Sequence, residues 1–144
     1  MTSGFEVAVL ASGVGLLLLD QGTKRIVQHR VADSPAGGNS FPRLRRVAHR
    51  EEFYDRNGAR ALLILLWLAA LTASFVLTRT GGLLHHPVSS FGLALTLGGA
   101  AGNLVDILRW HYVLDFVDFG WWPVFHLADV GIVVGLLLVF FNVF

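Results

Sequence analysis

The sequence predicts an all-α membrane protein with four transmembrane helices and a long extramembrane loop between helices 1 and 2. Three observations predict it. Apolar residues make up 54% of the chain and charged residues 15%, with a mean hydropathy of +0.62, whereas soluble domains carry about 25% charge. The charges are bunched, leaving uncharged runs of nearly spanning length in a chain of 144 residues, which has room for about four spans of roughly 20 residues each. A cluster of aromatics, Trp110, Tyr112, Phe116, Phe119, Trp121 and Trp122, lies between the last two runs and suits a membrane surface. This composition excludes disorder and an ordinary soluble enzyme. The net charge of +1 gives no reason to expect a nucleic acid partner. With no cysteine there is no disulfide frame, thiolate nucleophile or cysteine-ligated metal.

One domain, residues 1–144, is expected, with spans at about 5–27, 61–79, 87–107 and 123–144. The run 61–78 lies between Arg60 and Arg79, which can snorkel to opposite surfaces. The run 87–105 opens on Pro87, a residue suited to a helix's first turn. The other two runs are short. Residues 7–19 reach only roughly 20 Å as a helix, so a spanning helix must continue through Asp20 towards Val27. Residues 130–144 reach only roughly 22 Å, so that helix is expected to start near Val124, taking His126 and Asp129 inside the span. The N-terminal segment lacks a basic leader and a small-residue cleavage site, so it reads as a span rather than a signal peptide.

Counting helices puts the 28–60 loop and the aromatic link on one side of the membrane. Asp20, Asp106, Asp115, Asp118 and Asp129 should gather there. Nine of the 11 Lys and Arg residues lie between Lys24 and Arg60 on that same side. Taken alone, this bias makes the carboxylate side cytoplasmic.

Ionisable groups at membrane depth are expensive and usually functional. Asp129 heads a span, and Asp115 lies in the connection before it. The turn Gly120-Trp121-Trp122-Pro123 allows the chain to fold one onto the other. Two carboxyls in a low-dielectric site do not both ionise readily. One can take a proton from water while the other polarises a peptide carbonyl, and the pair titrates as a unit. This chemistry needs no metal or cofactor, and none is expected. Asp115 alone is weak evidence, because a surface strand would read the same way. A zinc site from His111, Asp115, His126 and Asp129 is a lesser alternative without a His-Glu-x-x-His pattern. Gly98 and Gly102 allow close helix approach. Asn103 and Asp106, one turn apart, are expected to hydrogen-bond neighbours and orient the site.

The stretch GGAAGNLVDILRWHYVLDFVDF, followed by WPVFHLAD, resembles the lipoprotein signal peptidase (signal peptidase II) family, and DQGTK at Asp20–Lys24 is similar to that family's first motif. The resemblance implies a bacterial inner-membrane aspartic endopeptidase that removes signal peptides from diacylglyceryl-modified prolipoproteins. It also implies sensitivity to the cyclic peptide globomycin and an active site facing the periplasm, opposite to the charge bias. Anionic membrane lipids on the basic loop would reconcile the two. By the match, Asp115 and Asp129 correspond to the catalytic pair. Asp20, Asn103 and Asp106 correspond to supporting motif residues, and Lys24 completes the first motif. The chain departs from the family pattern at three places. His126 stands where Asn is usual and Ile107 where Arg is usual, with Arg109 as a candidate substitute. The central Asn-x-Gly-Ala-Ala-Phe motif is missing, and His49 in VAHREEFY occupies about its Asn position. These departures leave a second reading open, a non-catalytic or substrate-diverged paralogue that binds lipidated or signal-like helices. A small cation transporter is disfavoured, since the chain shows no inverted repeat.

Overall fold

The computed structural model describes residues 3–31, 43–49, 57–79 and 86–143. Four helices carry the fold: α1 (Ser3–Val31), α2 (Asn57–Arg79), α3 (Pro87–Trp110) and α4 (Leu127–Val143). Two short strands, β1 (Arg43–His49) and β2 (Val113–Asp118), pair antiparallel. By length and composition Gly4–Arg30 and Pro87–Trp110 can cross a membrane, while Ala61–Val76 and Leu127–Asn142 are shorter apolar helices.

α1 buries Gly13, Leu16, Asp20, Lys24 and Val27, a stripe at three- and four-residue spacing that keeps one face inward. Its other face exposes Val7, Leu10, Val14, Leu18, Leu19 and Ile26, as lipid-facing helices do. The helix has 29 residues, or about 43 Å, more than a hydrocarbon layer of about 30 Å. A layer beginning at Phe5 would end near Lys24, which would put Asp20 and Lys24 at the membrane boundary.

α3 packs against α1, α2 and α4. Small residues make this possible, because apolar burial gives helices little drive to associate in lipid and close backbone packing must supply it. A Cβ on Gly13 would stand 2.7 Å from the Ala94 carbonyl oxygen, and one on Gly98 would strike the Gly13 carbonyl. Gly92 and Gly135 make the equivalent contact between α3 and α4. Gly13→Val is therefore expected to destabilise the bundle by about 1–3 kcal/mol or more through overpacking. Gly15→Val, whose Cβ would meet nothing within 4 Å, should cost little. Denaturant titration in mixed micelles separates the two.

The β1–β2 sheet adds to the expected all-helical architecture. Arg43 pairs with Asp118 and His49 with Val113, with an irregularity between Leu44 and Val47. This pairing joins the α1–α2 connection to the α3–α4 connection at one end of the bundle. Beyond β2 the chain turns at Gly120, whose φ is +75° and whose N–H donates to Asp118 Oδ1 at 2.7 Å. It then returns so that Phe125 pairs with Val117, with N–H···O distances of 2.9 and 3.2 Å. That pairing explains why α4 starts at Leu127 and not near Val124: the Phe125 N–H and C=O are already committed to β2. His126 accordingly precedes the helix and Asp129 sits in its first turn, at the mouth of the span rather than one to two turns inside it. Trp121 and Trp122, at the tip of this return, are exposed, as the residues of an interfacial aromatic belt are.

Candidate active site

Three helices bring ionisable groups to the sheet end of the bundle. On α1, Asp20 and Lys24 are one turn apart, and Lys24 Nζ lies 2.6 Å from Asp20 Oδ2. From α3, Asp106 Oδ2 approaches the same ammonium to 2.5 Å. All three side chains are fully buried. Gln21 Nε2 donates to Asp106 Oδ1 at 2.8 Å and to the Gly102 carbonyl at 3.3 Å. Gly102 is small because a Cβ there would stand 2.9 Å from Asp20 Oδ2. The other Asp20 oxygen, Oδ1, accepts the Ala128 backbone N–H at 3.0 Å. Asp20 thereby satisfies one of the orphan amides at the N-terminus of α4 and fixes that terminus against α1 and α3.

His126 and Asp129 close the same helix end reciprocally. His126 Nδ1 accepts the Asp129 N–H at 3.3 Å, and Asp129 Oδ2 accepts the His126 N–H at 3.2 Å. This is the exchange of a capping box, with His126 at the N-cap and Asp129 three residues on. A carboxyl group there also complements the helix dipole. Asp115 arrives from β2, its side chain 12% exposed against 39% for Asp129. The imidazole of His126 lies between the two, with Nε2 3.5 Å from Asp115 Oδ1 and Nδ1 3.2 Å from Asp129 Oδ2. One potential ligand atom from each of Asp115, His126 and Asp129 lies within 4.8 Å of the others. At that spacing a single water can hydrogen-bond both carboxyl groups, given O–H···O distances of about 2.7–2.8 Å.

Residues 13–144 match the model of signal peptidase (SPase) II. The chain is 33% identical over 133 residues to a lipoprotein signal peptidase of Halothermothrix orenii, covering 85% of this chain and 86% of that one. The chain belongs to the signal peptidase II family. A lipoprotein signal peptidase of Pelotomaculum thermopropionicum is 36% identical over 130 residues, covering 85% and 82% of the two chains. The fold is similar to that of a bacterial membrane enzyme solved by the in meso method at 1.9 Å, with a TM-score of 0.72 at 19% identity, covering 93% of this chain and 90% of that one. The chain is thus a membrane protein and a protease of the aspartic type.

Against this signal peptidase II frame the site residues named from sequence fall into three groups. Asp115, Asp129, His126, Asp20, Lys24 and Asp106 come together. Arg109 does not join them; it is exposed, with its guanidinium carbon 5.3 Å from the Trp110 ring centroid. Asn103 also stays out of the Asp106 network, and its Oδ1 is buried without a hydrogen-bond partner among the described residues. His49 is placed by its backbone alone, opposite Val113, and its side chain lies outside the described residues. His111 caps α3 in the left-handed region with φ 64° and is not part of the Asp115–His126–Asp129 group. Sequence reasoning missed Gln21 and the Ala128 amide. Gln21 stands next to Asp20 in DQGTK, the one signal that pointed to it. A backbone amide leaves no trace in residue identity.

Proposed function

We propose that Asp115 and Asp129 form the catalytic pair of this signal peptidase II, which removes signal peptides from prolipoproteins. The observation that carries this reading is the approach of the two carboxyl groups to water-bridging distance at the membrane-boundary end of the bundle. One carboxylate takes a proton from the bridging water as its oxygen attacks the scissile carbonyl. The other, protonated, donates to the carbonyl oxygen. The proton then passes to the leaving amine as the tetrahedral intermediate collapses.

The remaining residues act on position. The Asp20–Lys24–Asp106 cluster holds α1 and α3 to the start of α4, and so holds Asp129. His126 anchors Asp129 through the reciprocal cap and faces Asp115. We further place this enzyme in a bacterial inner membrane with the carboxylates towards the periplasmic face. The basic 28–60 connection would then sit against anionic lipid headgroups. The substrate, a diacylglyceryl-modified prolipoprotein, would approach sideways within the membrane. Purified chain in nanodiscs is expected to release the signal peptide from such a precursor, and a globomycin-type inhibitor is expected to block it. Mass spectrometry of the products checks both. Stoichiometric binding of the precursor with no product, even at high enzyme loading, would instead support the non-catalytic paralogue, towards which Ile107 and His126 lean.

A further inference from the structure

His126 carries a nitrogen that the capping arrangement leaves over. The side chain is fully buried. Nδ1 is engaged with the Asp129 N–H at 3.3 Å and lies 3.2 Å from Asp129 Oδ2 and 3.7 Å from Asp20 Oδ1. Nε2 has no hydrogen-bond partner among the described residues, yet it points at Asp115, whose Oδ1 is 3.5 Å away. Zinc binds imidazole nitrogen and carboxylate oxygen at about 2.0–2.2 Å, so two ligand atoms on a tetrahedral centre stand roughly 3.4 Å apart. The Nε2–Oδ1 separation already has that length. Asp129 supplies a third oxygen within 4.8 Å, and its 39% exposed side chain leaves an entry path and a fourth position for water. Binding through Nε2 puts the ring proton on Nδ1, which then exchanges the Asp129 N–H for donation to a carboxyl group, through Asp129 Oδ2 or Asp20 Oδ1, 3.2 and 3.7 Å away. Metal-bound histidines usually donate their second N–H to such a group.

We propose that Asp115, His126 and Asp129 bind one divalent transition-metal ion of the zinc type, and that this ion switches the peptidase off. The inhibitory half rests on the catalytic reading above, because the ion would occupy both carboxyl groups that activate water. Imidazole with two carboxylates suits zinc and its neighbours, whereas magnesium and calcium prefer sites built wholly of oxygen.

The test uses the full chain in nanodiscs, stripped with a chelator and titrated with zinc. Bound metal is counted by plasma mass spectrometry and its ligands are read by X-ray absorption. One zinc per chain with only nitrogen and oxygen neighbours is expected, with at least about tenfold weaker binding in His126→Asn and Asp115→Asn. Asparagine caps helix N-termini well but offers nothing in place of Nε2, and Asp115→Asn leaves the cap untouched. Cleavage of a diacylglyceryl-modified prolipoprotein should fall with the same midpoint as zinc uptake and return on chelation. Equal zinc binding by wild type and both variants, or no uptake at millimolar metal, overturns the site. Cleavage that persists in zinc-saturated protein overturns the inhibition. Zinc uptake by a chain that cleaves nothing when metal-free removes the catalytic reading and the inhibition together but keeps the site. Cleavage without zinc uptake does the reverse.

Discussion

Replacing Lys24 with methionine is expected to be among the most damaging single changes in the protein. Lys24 is fully buried with Asp20 Oδ2 at 2.6 Å and Asp106 Oδ2 at 2.5 Å. Methionine approximates its volume but removes the cation that pairs with both carboxyl groups. Breaking a buried ion pair from one side costs about 3–5 kcal/mol, because an uncompensated charged group remains. Here two such groups remain on different helices. The loss should appear as a lowered midpoint of denaturation in mixed micelles. It should also disturb α4, since Asp20 holds the Ala128 amide. Adding Asp20→Asn and Asp106→Asn to Lys24→Met should recover part of the stability, because removing a whole buried ionic cluster is often close to neutral. A single variant as stable as wild type would show that the cluster does not hold the helices together.

Asp115→Asn and Asp129→Asn are expected to abolish turnover while leaving the fold intact. Asparagine is nearly isosteric with aspartate and can still accept the His126 N–H at position 129, so the α4 cap should survive. What it cannot do is take a proton from water or give one to the carbonyl oxygen. Loss of one positioned acid or base usually costs about 10²–10⁴-fold, and loss of one partner of a shared unit tends towards the upper end. Rates of signal peptide release, with denaturation midpoints measured alongside, separate a chemical defect from a folding one.

Much of the fold could be read from charge placement. The runs before Asp20 and after Asp129 are too short to span, so both acids had to sit at or near membrane depth, and the structure puts them at one end of the bundle. The return through Gly120 and the tryptophans was legible because a glycine and a proline bracket a short aromatic turn. The start of α4 was not legible, because it is set by Phe125 bonding to Val117 across the turn, a non-local contact with no periodic signature. The pairing of β1 with β2 was hidden for the same reason, since it joins two connections far apart in sequence. Within the site, the acids were visible as rare charges in an apolar chain. The partners that orient them were less so. Gln21 is a neutral residue beside a conspicuous Asp20, and the Ala128 amide belongs to the backbone. Arg109 shows the opposite failure. Its position three residues after Asp106 suggested a shared face, but the α3 C-terminus turns it outward onto Trp110.

The most direct test of a shared catalytic unit is the kcat/KM of wild type, Asp115→Asn, Asp129→Asn and the double variant on one diacylglyceryl-modified prolipoprotein. Residues that act as a unit are strongly non-additive. The expected result is that each single variant loses essentially all turnover and the double variant loses no more than the worse single one. Full activity in either single variant, or losses that multiply in the double variant, would contradict the assignment of Asp115 and Asp129 as a pair acting on one water.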